Sequence, residues 1–385
     1  MSVPLCYCTN VHPCRSAAEV ERILDDYALP VRERAGFDIA VGLWLPAVAA
    51  AETLAAPAVH AGLRHALESR RLTCHTLNAF PFGDFHGSRV KEQVYLPDWS
   101  DPRRLDYTRN CARLLAGLLP DGVEGSISTL PLGFKPAARP PGFDDAVVHR
   151  LLELAADLAR LRAETGRTIR LAIEPEPFCL LETTAETIDF FGRLWAAAEA
   201  AGCGAVAREH LGVCYDVCHQ AVEFEDAAAA VGGLAAAGIR INKVQISCAI
   251  QLDDPSDAGA RAALAAFAEP RYLHQTMALT ADGRILREVD LTPALTADPA
   301  PEWRTARTWR THFHVPVDAE RLGPLGTTRQ ELRRALAAIA GLDYRPHLEV
   351  ETYTWPVLPG AAPADVVEGL ARELVATRDL LGQPA

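Results

Sequence analysis

Thr168-Ile-Arg-Leu-Ala-Ile-Glu174, closed by Pro175, decides how the chain is read. A short run dominated by apolar and β-branched side chains suits a buried strand. Pro175 has no N–H to offer a neighbouring strand and ends the pairing, which leaves Glu174 at the C-terminal tip. Thr183…Glu186 then spells a capping box that opens an amphipathic stretch over 184–203. The unit is a strand, an acid at its tip and a helix.

The same unit recurs on both sides. Further strands are expected at Val3–Thr9, Phe37–Leu45, Arg71–Asn78, Val123–Leu130, His210–Asp216, Arg240–Ser247 and Pro346–Thr352, which makes eight with Thr168–Glu174. Helical periodicity fills 16–33, 47–69, 101–119, 142–166, 225–238, 327–340 and 363–382, with further capping boxes at Ser16…Glu19 and Thr328…Glu331. Strict alternation demands parallel pairing through helical crossovers. An open doubly wound sheet would carry a glycine-rich phosphate turn after its first strand, and none follows Val3–Thr9. A closed (β/α)8 barrel is therefore expected.

The chain has 385 residues, beyond the usual ~100–200 of one domain. Parallel barrels are an exception, running to ~250 residues and growing by loop insertion, so 1–385 reads as one domain. The excess falls after the seventh strand, where 248–326 interrupts the rhythm. In it, Tyr272–Leu279 and Arg284–Leu291 flank a turn at Asp282-Gly283 and read as a β-hairpin, and Trp309–Val317 reads as another extended piece. An insertion there lies on the C-terminal face, where barrel active sites sit, and is expected to cover the substrate.

The formal net charge of −12 opposes nucleic-acid binding, which needs clustered Lys and Arg. The N-terminus has no basic stretch ahead of a long apolar run, and no run of ~18 apolar residues is present; a cytoplasmic protein is expected. The ten cysteines form no paired C-x-x-C arms, and scattered thiols read as small buried hydrophobes.

Ionisable groups gather at strand ends. Besides Glu174, Asp216 ends its strand, Gln245 lies on strand seven, and Glu349 and Glu351 share one face of strand eight, with Glu351 nearer the mouth. Unpaired carboxylates inside a packed barrel repel one another and cost several kcal/mol; a divalent cation resolves both problems. Glu174, Asp216, Gln245 and Glu351 form an oxygen-rich set that suits Mn, Mg or Co and admits Zn. His219, three residues past Asp216, is read as a ligand, a substrate contact or a capped loop histidine. His312 and His314 share a face, and His314 is the one expected to meet the site. His12, Asn78, His86 and Lys91 are further candidates for substrate contact.

At these positions, Ile-Glu174, Asp216-Val-Cys-His219 and Val-Glu351-Thr-Tyr, the chain resembles the xylose-isomerase-like TIM barrels, a superfamily of sugar isomerases, epimerases and endonuclease-IV-type phosphodiesterases. The resemblance implies that Glu174, Asp216 and Glu351 are metal ligands. It also shows a departure, since Gln245 stands where strand seven normally carries a histidine. Longer strings, among them Leu5-Cys-Tyr-Cys-Thr-Asn-Val-His-Pro, Phe82-Gly-Asp-Phe-His-Gly and His347-Leu-Glu-Val-Glu-Thr-Tyr-Thr-Trp, resemble the EboE metabolite-traffic family within that superfamily. That resemblance implies a bacterial setting linked to export of metabolite precursors, with transient contact to membrane-embedded proteins.

The residues support a metal-dependent isomerase or epimerase of a small hydroxy-carbonyl metabolite. In it Glu174 and Glu351 exchange a proton, and His219 or His314 orients a hydroxyl. A non-catalytic cytosolic metabolite carrier is the alternative. A phosphodiesterase is the minor one, disfavoured by the negative charge and by few suitably placed histidines.

Overall fold

Seven short strands precede the long excursion, the first six each followed by a helix: β1 (Cys6–Cys8), β2 (Ala40–Leu43), β3 (Thr73–Asn78), β4 (Gly125–Thr129), β5 (Ile169–Ile173), β6 (Leu211–Asp216) and β7 (Ile241–Ile246). The excursion holds β8 (Cys248–Leu252), β9 (Thr276–Leu279), β10 (Ile285–Glu288), β11 (Thr308–Val315), β12 (Arg321–Leu322) and β13 (Leu325–Thr327), and β14 (His347–Val350) returns to the barrel. The computed structural model describes residues 4–360, 362 and 365–382. Val3, at the start of the first expected strand, and 363–364, at the start of the last expected helix, lie outside them.

The eight barrel strands close in the order β1-β14-β7-β6-β5-β4-β3-β2, every pair parallel. This is the (β/α)8 barrel expected from the alternation. Registers put Gln245 beside both Glu349 and Asp216. Lys243 and Glu349 are wholly buried, with Nζ 2.6 Å from Oε2. Gly42 makes room for them, since a Cβ there would stand 1.4 Å from Glu349 Oε1. Nine of the ten cysteines are buried and all ten are free, in line with their reading as small hydrophobes.

Among the described residues no helix is long and apolar enough to cross a membrane. The expected helix over 47–69 is two, Ala47–Ala55 and Pro57–Ser69. Pro57 pushes Ala56 out of the helical region, to φ −120 and ψ 86. The capping boxes at Ser16 and Thr183 form their N-cap bonds, but Thr328 caps nothing. Its hydroxyl accepts from Ala249 N at 2.8 Å and its N–H donates to Ala249 O at 3.0 Å, stitching the helix start to β8.

The excursion forms a second sheet, ordered β10-β9-β11-β8-β13-β12. The expected hairpin is β9 against β10, antiparallel, turning where Gly283 adopts φ +87, a conformation glycine takes without steric cost. β11 runs through the middle of the sheet between β9 and β8, and its register slips between Thr311 and Val315. That irregularity holds His312 and His314, and bulges of this kind re-aim side chains next to active sites.

Candidate functional site

Strand ends deliver the first three groups. Glu174 follows β5, Asp216 ends β6, and Glu351 follows β14. All are buried, and one oxygen from each lies within 4.8 Å of the other two. Asp216 Oδ1 is the N-cap of the next helix, accepting from His219 N (3.1 Å) and from Ser247 Oγ (2.7 Å). Glu351 Oε1 accepts from Asn10 Nδ2 (2.7 Å) and Asn78 Nδ2 (3.0 Å). Asp216 Oδ2 and Glu174 Oε2 are buried with no hydrogen-bond partner. Burial, reinforced by Glu351 and Asp216, pushes the Glu174 carboxyl well above the usual range. Burial and Asp216 do the same to Glu351. Both shifts report anionic groups crowded into a medium that does not solvate them.

Imidazoles converge beside the acids. His314 Nδ1 donates to Glu351 O at 2.7 Å, so its Nε2 carries the lone pair. That Nε2 is buried without a hydrogen-bond partner, 3.8 Å from Asp216 Oδ2. An imidazole oriented by a carbonyl behind it has the posture of a metal ligand. His219 Nε2 lies 3.7 Å from the same oxygen and 3.1 Å from His312 Nε2. Burial holds His219 down to about 4 and pushes His312 well below the ordinary imidazole value, so these rings are neutral near pH 7. Glu176 completes the group, accepting from Tyr95 Oη at 2.7 Å, and burial pushes it up to about 8.

A cavity opens onto these groups. Asn10, Asn78, Glu174, Glu176, His219 and Glu351 line its barrel side, and Tyr272, Leu273 and His312 of the excursion form a wall. Asn78, Glu174, His219 and Glu351 are thus brought together as the sequence suggested, with Asp216 and His314 packed directly behind. Gln245 is wholly buried and neither side-chain atom has a partner.

Two candidates point elsewhere. His12 stacks on Tyr27, ring centroids 3.9 Å apart. His86 Nε2 lies 2.8 Å from Asn10 O, supporting the backbone behind Asn10. Neither is among the cavity-lining residues. Lys91 touches the cavity, but its ammonium is spent on Tyr272 O (2.6 Å), Asp290 (2.7 Å) and Glu269 O (3.0 Å), fastening the strand-three loop to the excursion.

Asn10, Glu176 and His312 line the cavity and were missed by sequence reasoning. Glu176 had a usable signal, repeating the Glu-Pro spelling two residues after Glu174. His312 had one too, sharing a face with His314. The expectation of few suitably placed histidines is corrected, because the irregular segment of β11 turns two of them toward His219 and Asp216.

No family model matches the sequence, and no curated protein matches it. Among solved structures, the chain is similar to the IOLI protein with a binding zinc atom (11% identity, 99% of this chain and 98% of that one, TM-score 0.49). It is also similar to a xylose isomerase domain containing protein from Salmonella typhimurium LT2 (14%, 100% of both, TM-score 0.44). A D-tagatose 3-epimerase-like protein is a third (15%, 63% of this chain and 75% of that one, TM-score 0.39). The barrel is established here by its own strand order.

Proposed function

We propose that the chain is a divalent-metal-dependent isomerase or epimerase of a small, sugar-like hydroxy-carbonyl metabolite. One observation carries this: three buried carboxylates face one another at the mouth while the nearby buried cation, Lys243, is committed to Glu349. Carboxylates so placed need a cation to offset their repulsion. Glu174, Asp216 and Glu351 would hold it, with His314 Nε2 and the amide of Gln245 as the remaining donors. In this proposal the imidazole missing from strand seven is supplied by β11. When bound, the cation supplies Lewis-acid polarisation of a substrate carbonyl and its neighbouring hydroxyl.

The chain's own groups do the proton work. β5 and β14 stand three positions apart round the ring, so Glu174 and Glu351 reach the shared space from different sides. One takes the proton alpha to the carbonyl and keeps it, the other delivers a proton of its own to the opposite face or the adjacent carbon, and exchange with solvent resets the pair. Asn10 and Asn78 fix Glu351 through one oxygen. His219, its ring oriented by Pro175 O at 2.9 Å, positions a substrate hydroxyl. Phe80, Phe85, Tyr95, Tyr272 and Tyr353 wall the cavity, offering apolar faces to the C–H side of a sugar and excluding water. The EboE resemblance adds a setting in which the product passes to membrane-embedded partners.

The test is solvent deuterium. Metal-loaded protein incubated in D2O with a panel of sugars and sugar phosphates is expected to place deuterium at a carbon-bound position of one of them. Glu351→Gln is expected to lose that exchange by ~10²–10⁴-fold, the usual worth of a positioned acid–base group. Binding of a panel member without exchange would make the protein a carrier instead.

A further inference from the structure

We infer that Tyr353 is a catalytic residue of the reaction proposed above, its hydroxyl donating a hydrogen bond to the substrate's carbonyl oxygen; the inference rests on that reading of the site. A count of the hydrogens the cavity can give makes the case.

A hydroxy-carbonyl substrate brings hydroxyls that donate and a carbonyl oxygen that only accepts. Most lining donors are already committed. Lys91 gives its hydrogens to Tyr272 O, Glu269 O and Asp290. Asn78 Nδ2 gives its own to Glu351 Oε1 (3.0 Å) and Cys8 Sγ (3.6 Å). The neutral rings of His219 and His312 each turn Nδ1 to an oxygen, Pro175 O (2.9 Å) and Gln275 Oε1 (2.7 Å). Of the three lining hydroxyls, Tyr95 donates to Glu176 (2.7 Å) and Tyr272 to Phe85 O (3.1 Å). Tyr353 also lines the cavity, and among the described residues its hydroxyl has no hydrogen-bond partner. The other spare side-chain hydrogen is the second one of Asn10 Nδ2, whose first goes to Glu351 Oε1 at 2.7 Å. A phenol, with an ordinary pKa of ~10, is the more acidic group and the stronger donor.

The phenol is held in place before any substrate arrives. On one side Thr352 Oγ1 donates to Glu373 at 2.5 Å, and on the other Thr354 Oγ1 donates to His314 O. The side chain is packed among His314, Tyr272 and Phe85, with ring centroids at 4.7, 5.1 and 5.3 Å, and the residue is only 9% exposed. A donor fixed in this way needs no reorganisation when charge develops. As a carboxylate takes the alpha proton, the C–H electron pair forms the new C=C bond and the carbonyl π pair moves onto oxygen. Tyr353 keeps its proton, and its hydrogen bond strengthens to that oxygen. When a proton is delivered to carbon, the pairs move back and the carbonyl re-forms, with nothing oxidised or reduced overall.

The experiment compares metal-loaded, full-length wild type with Tyr353→Phe, which keeps the ring and removes one oxygen. The variant is expected to retain metal content and Tm while its deuterium exchange with the sugar panel falls by ~10²–10³-fold, the usual worth of one donor to a developing oxyanion. A merely structural role would not move the second readout, difference infrared spectra of dihydroxyacetone carrying heavy carbon at its carbonyl. That stretch is expected at lower frequency on the wild type than on Tyr353→Phe. Should the variant fold poorly, the wild type decides by tyrosine-ring NMR. Dihydroxyacetone is expected to move the Cζ signal of a cavity tyrosine that glycerol, the same skeleton without a carbonyl, leaves in place. Equal exchange by the two proteins overturns the role, as do equal carbonyl stretches, equal responses to the two ligands, or dihydroxyacetone that does not bind. A lowered stretch with no exchange by the wild type overturns the isomerase reading, and the catalytic role with it, while leaving the hydrogen bond.

Discussion

Glu349 and Glu351 stand two residues apart on the same side of one strand end, both buried, yet the barrel treats them differently. Below, Glu349 has an ammonium at 2.6 Å, with Lys243 Nζ also donating to Ser128 Oγ at 3.2 Å. Above, Glu351 meets two amides and two more carboxylates, and among the described residues no ammonium or guanidinium pairs with it. The floor is neutralised from within the chain; in the proposed function the mouth takes its cation from outside. A buried acid with its own counter-ion reads as structure, and a cluster of acids lacking one reads as a site.

Breaking the floor should cost most. Lys243→Met leaves Glu349 charged and unpaired, and ~3–5 kcal/mol of stability should be lost, as when one partner of a buried pair is removed. Chemical denaturation measures this, and a loss under 1 kcal/mol would mean the pair is not what holds Glu349 in place.

Removing the cation should cost less. At free metal 100 times its Kd, stripping with EDTA is expected to remove ~2.7 kcal/mol, read as a fall in Tm restored by added metal. The pH dependence sharpens this. In the stripped protein the folded-state affinities of Glu174 and Glu351 for protons are raised. Their contribution is then complete below the ordinary carboxyl value of 4.5 and is lost as pH rises through the raised values. Metal-bound carboxylates are held ionised, so the loaded protein should instead lose stability as pH falls. Parallel pH profiles for the two forms would contradict a cation at the mouth.

Glu373 gives the smallest and most local effect. Buried in the last helix, it accepts from Thr352 Oγ1 (2.5 Å), Trp355 Nε1 (2.9 Å) and Val317 N (3.0 Å), tying the segment after β14 to the excursion. Burial pushes it up to about 7. Its contribution is therefore present below pH 4.5 and lost as pH rises through about 7. Glu373→Gln is expected to flatten that slope and, at pH 4, to cost ~1–2 kcal/mol because one donor is left unpaired. Urea midpoints across pH 4–8 would show it.

Legibility followed the range of the forces involved. Glu174, Asp216 and Glu351 could be read because strand periodicity and a terminating turn are local, and parallel closure then brings every strand's C-terminal end to one mouth. The Lys243–Glu349 pairing could not be read, since it depends on a register between β7 and β14 set by the whole ring. His12 follows strand one closely, yet its ring settled on Tyr27, an aromatic partner that position alone does not reveal. Thr328 carried a capping-box spelling, but the edge of β8 offered its hydroxyl a better donor.

From the sequence alone came the eightfold alternation, the acids at three strand tips and the place where the chain leaves the barrel, because each is written in neighbouring residues. Tertiary structure decided which histidines join those acids. Their direction is set by a slip in the register of β11 and by carbonyls from distant loops that fix each ring's proton. Those constraints exist only once the excursion has folded back over the mouth.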